Sequence, residues 1–362
     1  MTTEIIPTMV DLFAGCGGVT TGFKNKGFKV LTAVEFDSIV AETYRLNHPE
    51  VVLYEQDIRN VSPEEIMERC NFEQEELTVL SVCAPCQPFS RQNRFKSRDK
   101  RDRLVLETVR FASAFKPLFV FMENVPGLGK STEILDQLVE GLIELGYTVS
   151  QPQVVDAVNY GVPQFRKRLI LLSSRNGTEL DVPEPTHTSP DNAAKSGKCP
   201  WRTVGGAIAD LPELESGESS EIDPLHKARR HAQLSLERLK YIPHNGGSRD
   251  SLPSHLQLNC HKNGKNVGYH DVYGRMDSRR PSNTLTTGCT NFTKGRFAHP
   301  TADRAITPRE AARLQTFTDS YRFYGSYEQI SSQIGNAVPV MLAEAFAGYF
   351  YELWEREMCG AG

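Results

Sequence analysis

The stretch Asp11-Leu-Phe-Ala-Gly-Cys-Gly-Gly18 decides the fold class of this sequence of 362 residues. It ends a short apolar run, residues 9–13, and precedes a segment with helical spacing, which predicts a glycine-rich turn between a strand and a helix. Glycines there let the backbone approach a ligand closely at the carboxyl end of the first strand. A dinucleotide site would require glycines at 15, 17 and 20, but position 20 is threonine. We therefore expect a nucleoside cofactor other than a nicotinamide or flavin.

Short apolar or β-branched runs recur along the first half of the chain, at residues 29–35, 77–83, 118–123 and 168–173. Segments with helical periodicity separate them, for example residues 132–145. This alternation predicts βαβ units and an α/β fold with a doubly wound, largely parallel sheet.

The composition changes at about residue 179: the chain becomes rich in proline, serine, histidine and glycine, and few segments show helical or strand periodicity. We expect a second, smaller, loop-rich domain over residues 179–302. Near the end, Pro339 is suited to a first helical position, and residues 342–353 carry an apolar stripe at helical spacing. That helix is expected to pack onto the first domain, which would comprise residues 1–178 and 303–362.

The composition, 39% hydrophobic and 24% charged, is typical of a globular protein. The sequence predicts no membrane span and no signal peptide, which indicates a cytoplasmic or nucleoplasmic location, the cytoplasm being our expectation. The eight cysteines are irregularly placed, so we expect free thiols. Cys83 and Cys86 have the spacing of half a zinc site, but no second pair stands at ligand spacing, and we predict no metal.

The net charge of −4 hides two basic stretches. Residues 225–300 contain 13 lysines and arginines against 4 acidic residues, and residues 91–103 contain 7 against 2. Local positive charge within an otherwise acidic chain favours a polyanionic partner, because neutralising phosphates releases counterions.

Residues with catalytic chemistry follow several of the predicted strands. Cys86 lies between Pro85 and Pro88, in a stiff loop that suits an exposed thiolate nucleophile better than a buried structural thiol. Glu123 and Asn124 end the next predicted strand, so the Glu123 carboxylate is expected to face the same crevice.

A pair of arginines and two acidic residues complete the set. Arg166 and Arg168 lie on the same side of an extended segment, and one or both are expected to reach the crevice. Glu35 ends the second strand, where a carboxylate binds ribose hydroxyls. Asp57 and Ile58 follow a third predicted strand and are candidates for contacts with an adenine.

Six motifs in order resemble the DNA cytosine-5 methyltransferase family of prokaryotic or phage type. They are DLFAGCGG (11–18), APCQPFS (84–90), ENV (123–125), QFRKR (164–168), TPREAARLQTF (307–317) and QIGNAVPV (333–340). The similarity covers about residues 1–175 and 303–362. It implies a Rossmann-like methyltransferase sheet, with residues 179–302 as the target-recognition domain.

The resemblance implies that the target cytosine is flipped out of duplex DNA and methylated at C5. Cys86 would add to C6 and make C5 nucleophilic, and Glu123 would stabilise the charge that develops at N3. Arg166 would hold the carbonyl oxygen of the base, with Asn124 and Arg168 in support.

The implied cofactor is S-adenosyl-L-methionine. The family's binding motifs map onto Phe13, Gly15, Gly17, Glu35, Phe36, Asp57, Ile58, Pro85, Leu104, Asn336 and Val338.

The implied partner is double-stranded DNA, and through it the protein would associate with the nucleoid. We expect Ser90, Arg91 and Arg94 to contact it from a loop that closes over the substrate, and Arg275, Arg279 and Arg296 from the recognition domain. A partner restriction endonuclease or defence system and a monomeric state are further expectations.

Three other functions remain open from sequence. A transfer RNA cytosine-5 methyltransferase with the same scaffold would typically carry a Cys-Phe-Thr tripeptide, whereas this chain has Asn291-Phe-Thr and Thr316-Phe-Thr. A catalytically inactive DNA-binding module would not need Cys86, Glu123 and Arg166. A thiol redox protein would need a helix starting between Cys83 and Cys86, where Pro85 and Pro88 favour a loop.

Overall fold

The computed structural model describes residues 5–85, 100–258 and 271–360. The chain divides into two compact units. The first comprises Met1–Ala157, Lys167–Pro185 and Val338–Gly362, and the second Val158–Arg166 and Thr186–Ala337. Residues 303–337 thus group with the second unit, and the division into catalytic and recognition domains drawn from sequence stays a prediction.

An eight-stranded sheet forms the centre of the first unit. Its strands are β1 (Thr8–Leu12), β2 (Lys29–Glu35), β3 (Val52–Glu55), β4 (Val79–Val82), β5 (Phe119–Asn124), β6 (Thr148–Val149), β7 (Gln153–Asp156) and β8 (Lys167–Ser174). They lie in the order β3-β2-β1-β4-β5-β8-β6, and β7 also pairs with β8. The first five strands are parallel, while β8 runs antiparallel to β5, β6 and β7. The predicted doubly wound, Rossmann-like sheet is confirmed.

The order of β1 to β5 determines where a site can form. The chain proceeds outward from β1 to β3 and then returns to pair β4 with β1 on its other side. Ligands of open α/β sheets bind outside the carboxyl ends of the strands at this reversal point. Leu12 and Val82, which end β1 and β4, are paired across it.

The described helices are α1 (Gly18–Asn25), α2 (Ser38–Asn47), α3 (Pro63–Cys70), α4 (Glu107–Phe115), α5 (Thr132–Glu144), α6 (Pro190–Ser196), α7 (Val204–Ile208), α8 (Gln233–Lys240), α9 (Pro308–Leu314), α10 (Tyr327–Asn336) and α11 (Val340–Gly360). Among these described segments, none is long and apolar enough to span a bilayer.

The last helix packs onto the first unit, as its apolar stripe predicts. Phe346 and Phe350 of α11 lie against Phe121 and Phe119 of β5, with ring centroids 5.0 and 5.2 Å apart. At the contact with α1, a Cβ on Gly22 would come within 2.5 Å of the Cβ of Ala343, so only glycine permits this approach. The helix begins at Val340, one residue later than predicted, because Pro339 contributes its carbonyl as acceptor for the Ala343 amide.

In its described residues the second unit contains short helices, a small two-stranded sheet and many loops. Strands β9 (His187–Thr188) and β10 (Cys199–Pro200) pair in parallel. Its apolar core is small and includes Leu239, Tyr273 and Phe292. Buried ionic groups supplement that core: the guanidinium of Arg304 donates to both carboxylate oxygens of Glu310 at 2.8 Å, and Glu310 caps α9 through the amide of Thr307.

Candidate active site

The turn after β1 has the left-handed backbone that its glycines allow. Gly15 and Gly17 have φ angles of 57° and 88°, and a Cβ at position 15 would meet nothing within 4 Å. The space at Gly15 lies at the carboxyl end of β1, where the sequence predicted a cofactor. Phe13, also predicted at this site, is itself left-handed at φ 60°, an uncommon conformation for an aromatic residue that marks a constrained turn.

Glu35 is tied to this turn. Its carboxylate accepts hydrogen bonds from the amide of Gly15 at 2.9 Å and from the amide of Asp37 at 2.8 Å. Burial raises the pKa of Glu35 above its ordinary value, and these amides partly oppose the shift. The neighbouring Phe36 side chain is 72% exposed, so a flat apolar ring stands in solvent beside the carboxylate. The structure thus brings together four predicted cofactor residues: Gly15, Gly17, Glu35 and Phe36.

Asp57 and Ile58 follow β3 as predicted, but they make other contacts. Asp57 caps a short 3-10 helix and forms an ion pair with Arg59, which holds the pKa of its carboxyl below the usual range. The Ile58 side chain is buried in the core, and its carbonyl accepts from Arg110 at 2.7 Å. Leu104 is partly buried against the same core. The side chain of Asp57 is therefore more available to a ligand than that of Ile58.

The end of β5 carries the buried acid of the candidate site. Glu123 is 6% exposed, and its Oε1 lies 2.5 Å from Nε of Arg168 on the neighbouring strand β8. Although the two atoms are close, Oε1 accepts no well-directed hydrogen bond within the part of the chain that the structure describes. The pair thus places a carboxylate and a guanidinium at one point of the sheet edge.

Asn124 links this strand to the cysteine loop. Its Nδ2 donates to the carbonyl of Ala84 at 3.1 Å, and its Oδ1 accepts from the amide of Val125 at 2.9 Å. Ala84 and Pro85 are the last described residues before Cys86. The predicted nucleophile Cys86 and the predicted DNA contacts Ser90, Arg91 and Arg94 lie outside the described residues, so their roles stay predictions.

Cys83 is a different kind of thiol from the one that catalysis requires. Burial raises its pKa well above the ordinary value, and the carboxyl groups of Glu123 and Asp11 raise it further. A thiol held in its neutral form is a poor nucleophile. Among the described residues, no three histidine, cysteine, aspartate or glutamate side chains form a group that could hold a metal ion.

Arg166 is surrounded by backbone carbonyls. It belongs to the second unit and is 1% exposed. Its guanidinium donates to the backbone carbonyls of Leu285, Gly335 and Ala337, each at 2.9 Å. Arg168 thus accompanies Glu123, whereas Arg166 holds backbone around Asn336, and which of the two arginines holds the base stays a prediction.

Two of the three arginines expected to contact DNA from the second unit are structural. Arg275 is fully buried and donates to the carbonyls of Ile242, His299, Ala302 and Leu239, with an ion pair to Asp303. Arg296 donates to three further carbonyls. Arg279, by contrast, has a side chain that is 76% exposed. The expectation for Arg275 and Arg296 is therefore corrected, because a basic stretch in sequence does not distinguish buried from exposed arginines.

The sequence did not single out Asp11 or Gln164. Asp11 is fully buried in β1, and desolvation raises its pKa to about 7 although the Thr20 hydroxyl donates to it at 2.8 Å. Gln164 is buried in the second unit, where its Nε2 donates to Oε1 of Gln315 at 2.9 Å and its Oε1 accepts from the amide of Leu285. A polar residue within an apolar run was the only indication for Asp11.

Comparison with known proteins identifies the family. The family model of C-5 cytosine-specific DNA methylases matches residues 7–351. The Type II methylase M.HgiDII of Herpetosiphon aurantiacus is 35% identical over 350 residues, which cover 95% of this chain and 94% of the relative. The Type II methyltransferase M1.HphI of Haemophilus parahaemolyticus is 33% identical, with 94% and 85% covered.

Solved structures agree in fold. A DNA modification methyltransferase encoded within an E. coli prophage superimposes with a TM-score of 0.74 at 24% identity, covering 96% of this chain and 99% of the other. The methyltransferase EhMeth of Entamoeba histolytica gives a TM-score of 0.64 at 14% identity, covering 97% and 99%. The sheet, the matched family and the relatives lead to one conclusion. The chain belongs to the C-5 cytosine-specific DNA methylase family and is a DNA cytosine-5 methyltransferase.

Proposed function

We propose that this protein methylates C5 of a cytosine within a specific sequence of double-stranded DNA, with Cys86 as nucleophile and S-adenosyl-L-methionine as methyl donor. The observation that carries the mechanism is the buried Glu123–Arg168 pair at the end of β5, next to the Asn124–Ala84 hydrogen bond. It puts an acid and a cation beside the segment that leads to Cys86. A transfer RNA substrate is not favoured, since the matched family and relatives are DNA methylases.

The chemistry explains why these groups are needed together. Cytosine C5 is too weak a nucleophile to attack a methyl group directly. The Cys86 thiolate adds to C6, and the displaced electron density accumulates toward N3 and onto C5. Glu123 hydrogen-bonds or donates a proton at N3, which stabilises this charge in a site screened from water. After C5 is methylated, its proton leaves to water or hydroxide, and elimination regenerates Cys86.

Arg168 is the better candidate to hold the base. Its Nε lies 2.5 Å from Glu123, so its guanidinium is at the carboxyl that is to meet N3. The carbonyl group of cytosine is at C2, next to N3. A single guanidinium beside Glu123 can therefore contact both the Glu123 carboxylate and the carbonyl oxygen of the base. Asn124 acts indirectly: it holds the carbonyl of Ala84, two residues before the nucleophile. Arg166 supports the second unit instead.

The described residues of the first unit fit S-adenosyl-L-methionine. Open space at Gly15, the amide-bound carboxylate of Glu35 and the exposed ring of Phe36 suit a ribose and a flat heterocycle. The cofactor supplies a methyl group on a positively charged sulfur. Phe13, Gly17, Asp57, Ile58, Pro85, Leu104, Asn336 and Val338 remain proposed contributors, with the Ile58 side chain the weakest candidate because it is buried.

The remaining assignments are also proposals. Ser90, Arg91, Arg94 and Arg279 contact DNA phosphates or bases, and the protein acts as a monomer in the cytoplasm, associated with the nucleoid through DNA. Type II relatives support a functional partnership with a restriction endonuclease or another defence system.

A transfer assay tests the substrate. Purified protein is incubated with methyl-labelled S-adenosyl-L-methionine and, in parallel, genomic DNA from a methylation-deficient bacterium or total transfer RNA. We expect label in DNA as 5-methylcytosine, with little in RNA. Label in transfer RNA alone would contradict the proposed substrate, and label in neither would contradict the proposed activity.

A further inference from the structure

Two loops of the second unit are joined by several backbone and side-chain hydrogen bonds. We call them the glycine turn, residues 243–247 (Pro-His-Asn-Gly-Gly), and the arginine loop, residues 275–280 (Arg-Met-Asp-Ser-Arg-Arg). Their backbones pair directly: the Gly246 amide donates to Met276 at 3.1 Å, and the Arg275 amide donates to Gly247 at 3.0 Å. The two loops therefore form one element.

Arg296 holds the junction between them. One terminal nitrogen of its guanidinium donates to the carbonyls of Gly246 and Gly247, both at 3.0 Å, and of Arg275 at 3.1 Å. A Cβ on Gly274 would lie 2.8 Å from the guanidinium carbon, so glycine at 274 is what lets Arg296 approach. The Arg296 side chain is only 20% exposed. Its charge is thus used to fix backbone.

Asn245 makes the second connection. It has a left-handed backbone with φ 52°, which asparagine tolerates better than most residues. Its Oδ1 accepts from both the amide of Ser278 at 3.1 Å and the hydroxyl of Ser278 at 2.7 Å. The backbone amide of Asn245 donates to the carbonyl of Pro300 at 3.0 Å. One side chain of the glycine turn therefore sets the backbone of the arginine loop just before Arg279.

The arginine loop presents two cations to solvent. The Arg279 side chain is 76% exposed, and Arg280 is exposed. The Arg280 backbone is fixed on both sides, because its amide donates to Asp277 at 3.2 Å and its carbonyl accepts from Val204 at 2.9 Å. Arg279 also pairs with Asp277, its Nε and Nη2 each donating to one carboxylate oxygen at 3.0 Å, and this pairing leaves most of the Arg279 side chain in solvent.

We propose that Arg279 and Arg280 contact the DNA backbone, and that Asn245 and Arg296 are positioning residues that fix where these two guanidinium groups stand. This rests on the proposed function, in which double-stranded DNA is the substrate. Interactions with phosphates set the register of a protein on the duplex, and they depend on where the cations are held. A locked element presents its cations without the ordering cost that a free loop would incur on binding.

The first test measures phosphate binding without knowledge of the recognition sequence. Binding of a labelled 30-base-pair duplex of mixed sequence is followed by fluorescence anisotropy over a series of KCl concentrations. Removing one cation that neutralises a phosphate should reduce the slope of log affinity against log salt by about 0.9. We expect a reduced slope for Arg279→Gln, and a larger reduction for Arg279→Gln combined with Arg280→Gln. The matched control is Arg356→Gln on α11, whose side chain is 75% exposed.

The second test asks whether Asn245 acts through the arginines. Asn245→Gly keeps the left-handed backbone and removes the bonds to Ser278, and Asn71→Gly is the control, since Asn71 has φ 53° in the first unit. We expect Asn245→Gly to weaken duplex binding several-fold in the wild-type background. In the background of Arg279→Gln with Arg280→Gln it should have almost no further effect, a non-additivity that general destabilisation would not produce.

The outcomes separate this inference from the proposed function. Equal effects of Asn245→Gly in both backgrounds, or a slope for the paired arginine variant that matches Arg356→Gln, would overturn the inference while leaving DNA methylation intact. A wild-type protein that binds transfer RNA and no duplex DNA would contradict the proposed function itself.

Discussion

Glu123 and Arg168 meet diagonally across the antiparallel pair of β5 and β8, with Oε1 of the acid 2.5 Å from Nε of the arginine; the residue directly opposite Glu123 is Ile170. Both side chains are less than 10% exposed. Because β8 is the strand that reverses the direction of the sheet, its first residues lie beside the last residues of β5. The antiparallel strand therefore supplies the cation that accompanies the proposed catalytic acid.

Arg168→Lys should impair catalysis more than folding. Lysine keeps the charge but cannot contact Glu123 and a base oxygen with one planar group. We expect kcat to fall by about a hundredfold, typical of losing one donor that stabilises developing charge, with only a modest change in melting temperature. Single-turnover methylation and thermal unfolding would measure the two effects. An unchanged kcat would contradict the proposed role.

Arg166→Met should impair folding more than catalysis. The substitution removes donors from three buried carbonyls in the second unit, those of Leu285, Gly335 and Ala337. We expect the free energy of unfolding to fall by about 3 kcal/mol, since bonds to a charged donor contribute about 1.5 to 3 kcal/mol each and part of the loss is relieved by rearrangement. Denaturant unfolding measures it. If the Arg166→Met variant were as stable as the wild type but had a much lower kcat, the result would indicate that Arg166 contacts the cytosine.

Glu35→Gln should weaken cofactor binding. A neutral amide offers one acceptor oxygen in place of two, and here both oxygens already serve the amides of Gly15 and Asp37. We expect the Kd for S-adenosyl-L-methionine to rise at least about tenfold, the loss of one charge-assisted hydrogen bond. Isothermal titration calorimetry would measure it, with the exposed Glu42→Gln as control. Equal affinities for both variants would exclude Glu35 from the cofactor site.

Asp11 should make stability depend on pH. Burial raises its pKa from 3.8 to about 7, so between these values the folded protein retains a proton that the unfolded chain releases. Its contribution to the free energy of unfolding therefore falls as pH rises from about 4 to 7 and then levels off. Asp11→Asn should lack this slope. Denaturant unfolding of both proteins at pH 5 and pH 8 measures the difference, and parallel behaviour of the two would contradict the assignment.

Parts of this architecture follow directly from the sequence. The run 29–35 predicted β2 with its observed bounds because its β-branched residues are flanked by a glycine and a helix cap. The glycines at 15 and 17 predicted the turn at which Glu35 is bound. These features are local, so spacing and residue type are sufficient to indicate them.

The assignment of individual arginines required the structure. Arg166 and Arg168 are two residues apart, and spacing alone put both on one side of a strand, whereas β8 begins between them at Lys167. Arg275 and Arg279 belong to the same basic stretch, but one is buried among carbonyls from four distant residues. Such interactions depend on tertiary packing, which a charge pattern does not contain.

Bisulfite sequencing tests both the methylation of DNA cytosines and the role of Cys86 as nucleophile. DNA is prepared from a methylation-deficient bacterial host that expresses the wild type, Cys86→Ala or Cys83→Ala. The last is a matched change in a neighbouring, partly buried thiol. We expect one protected cytosine context with the wild type, its complete loss with Cys86→Ala, and its retention with Cys83→Ala. Protection that persists in Cys86→Ala, or none in the wild type, would contradict this expectation.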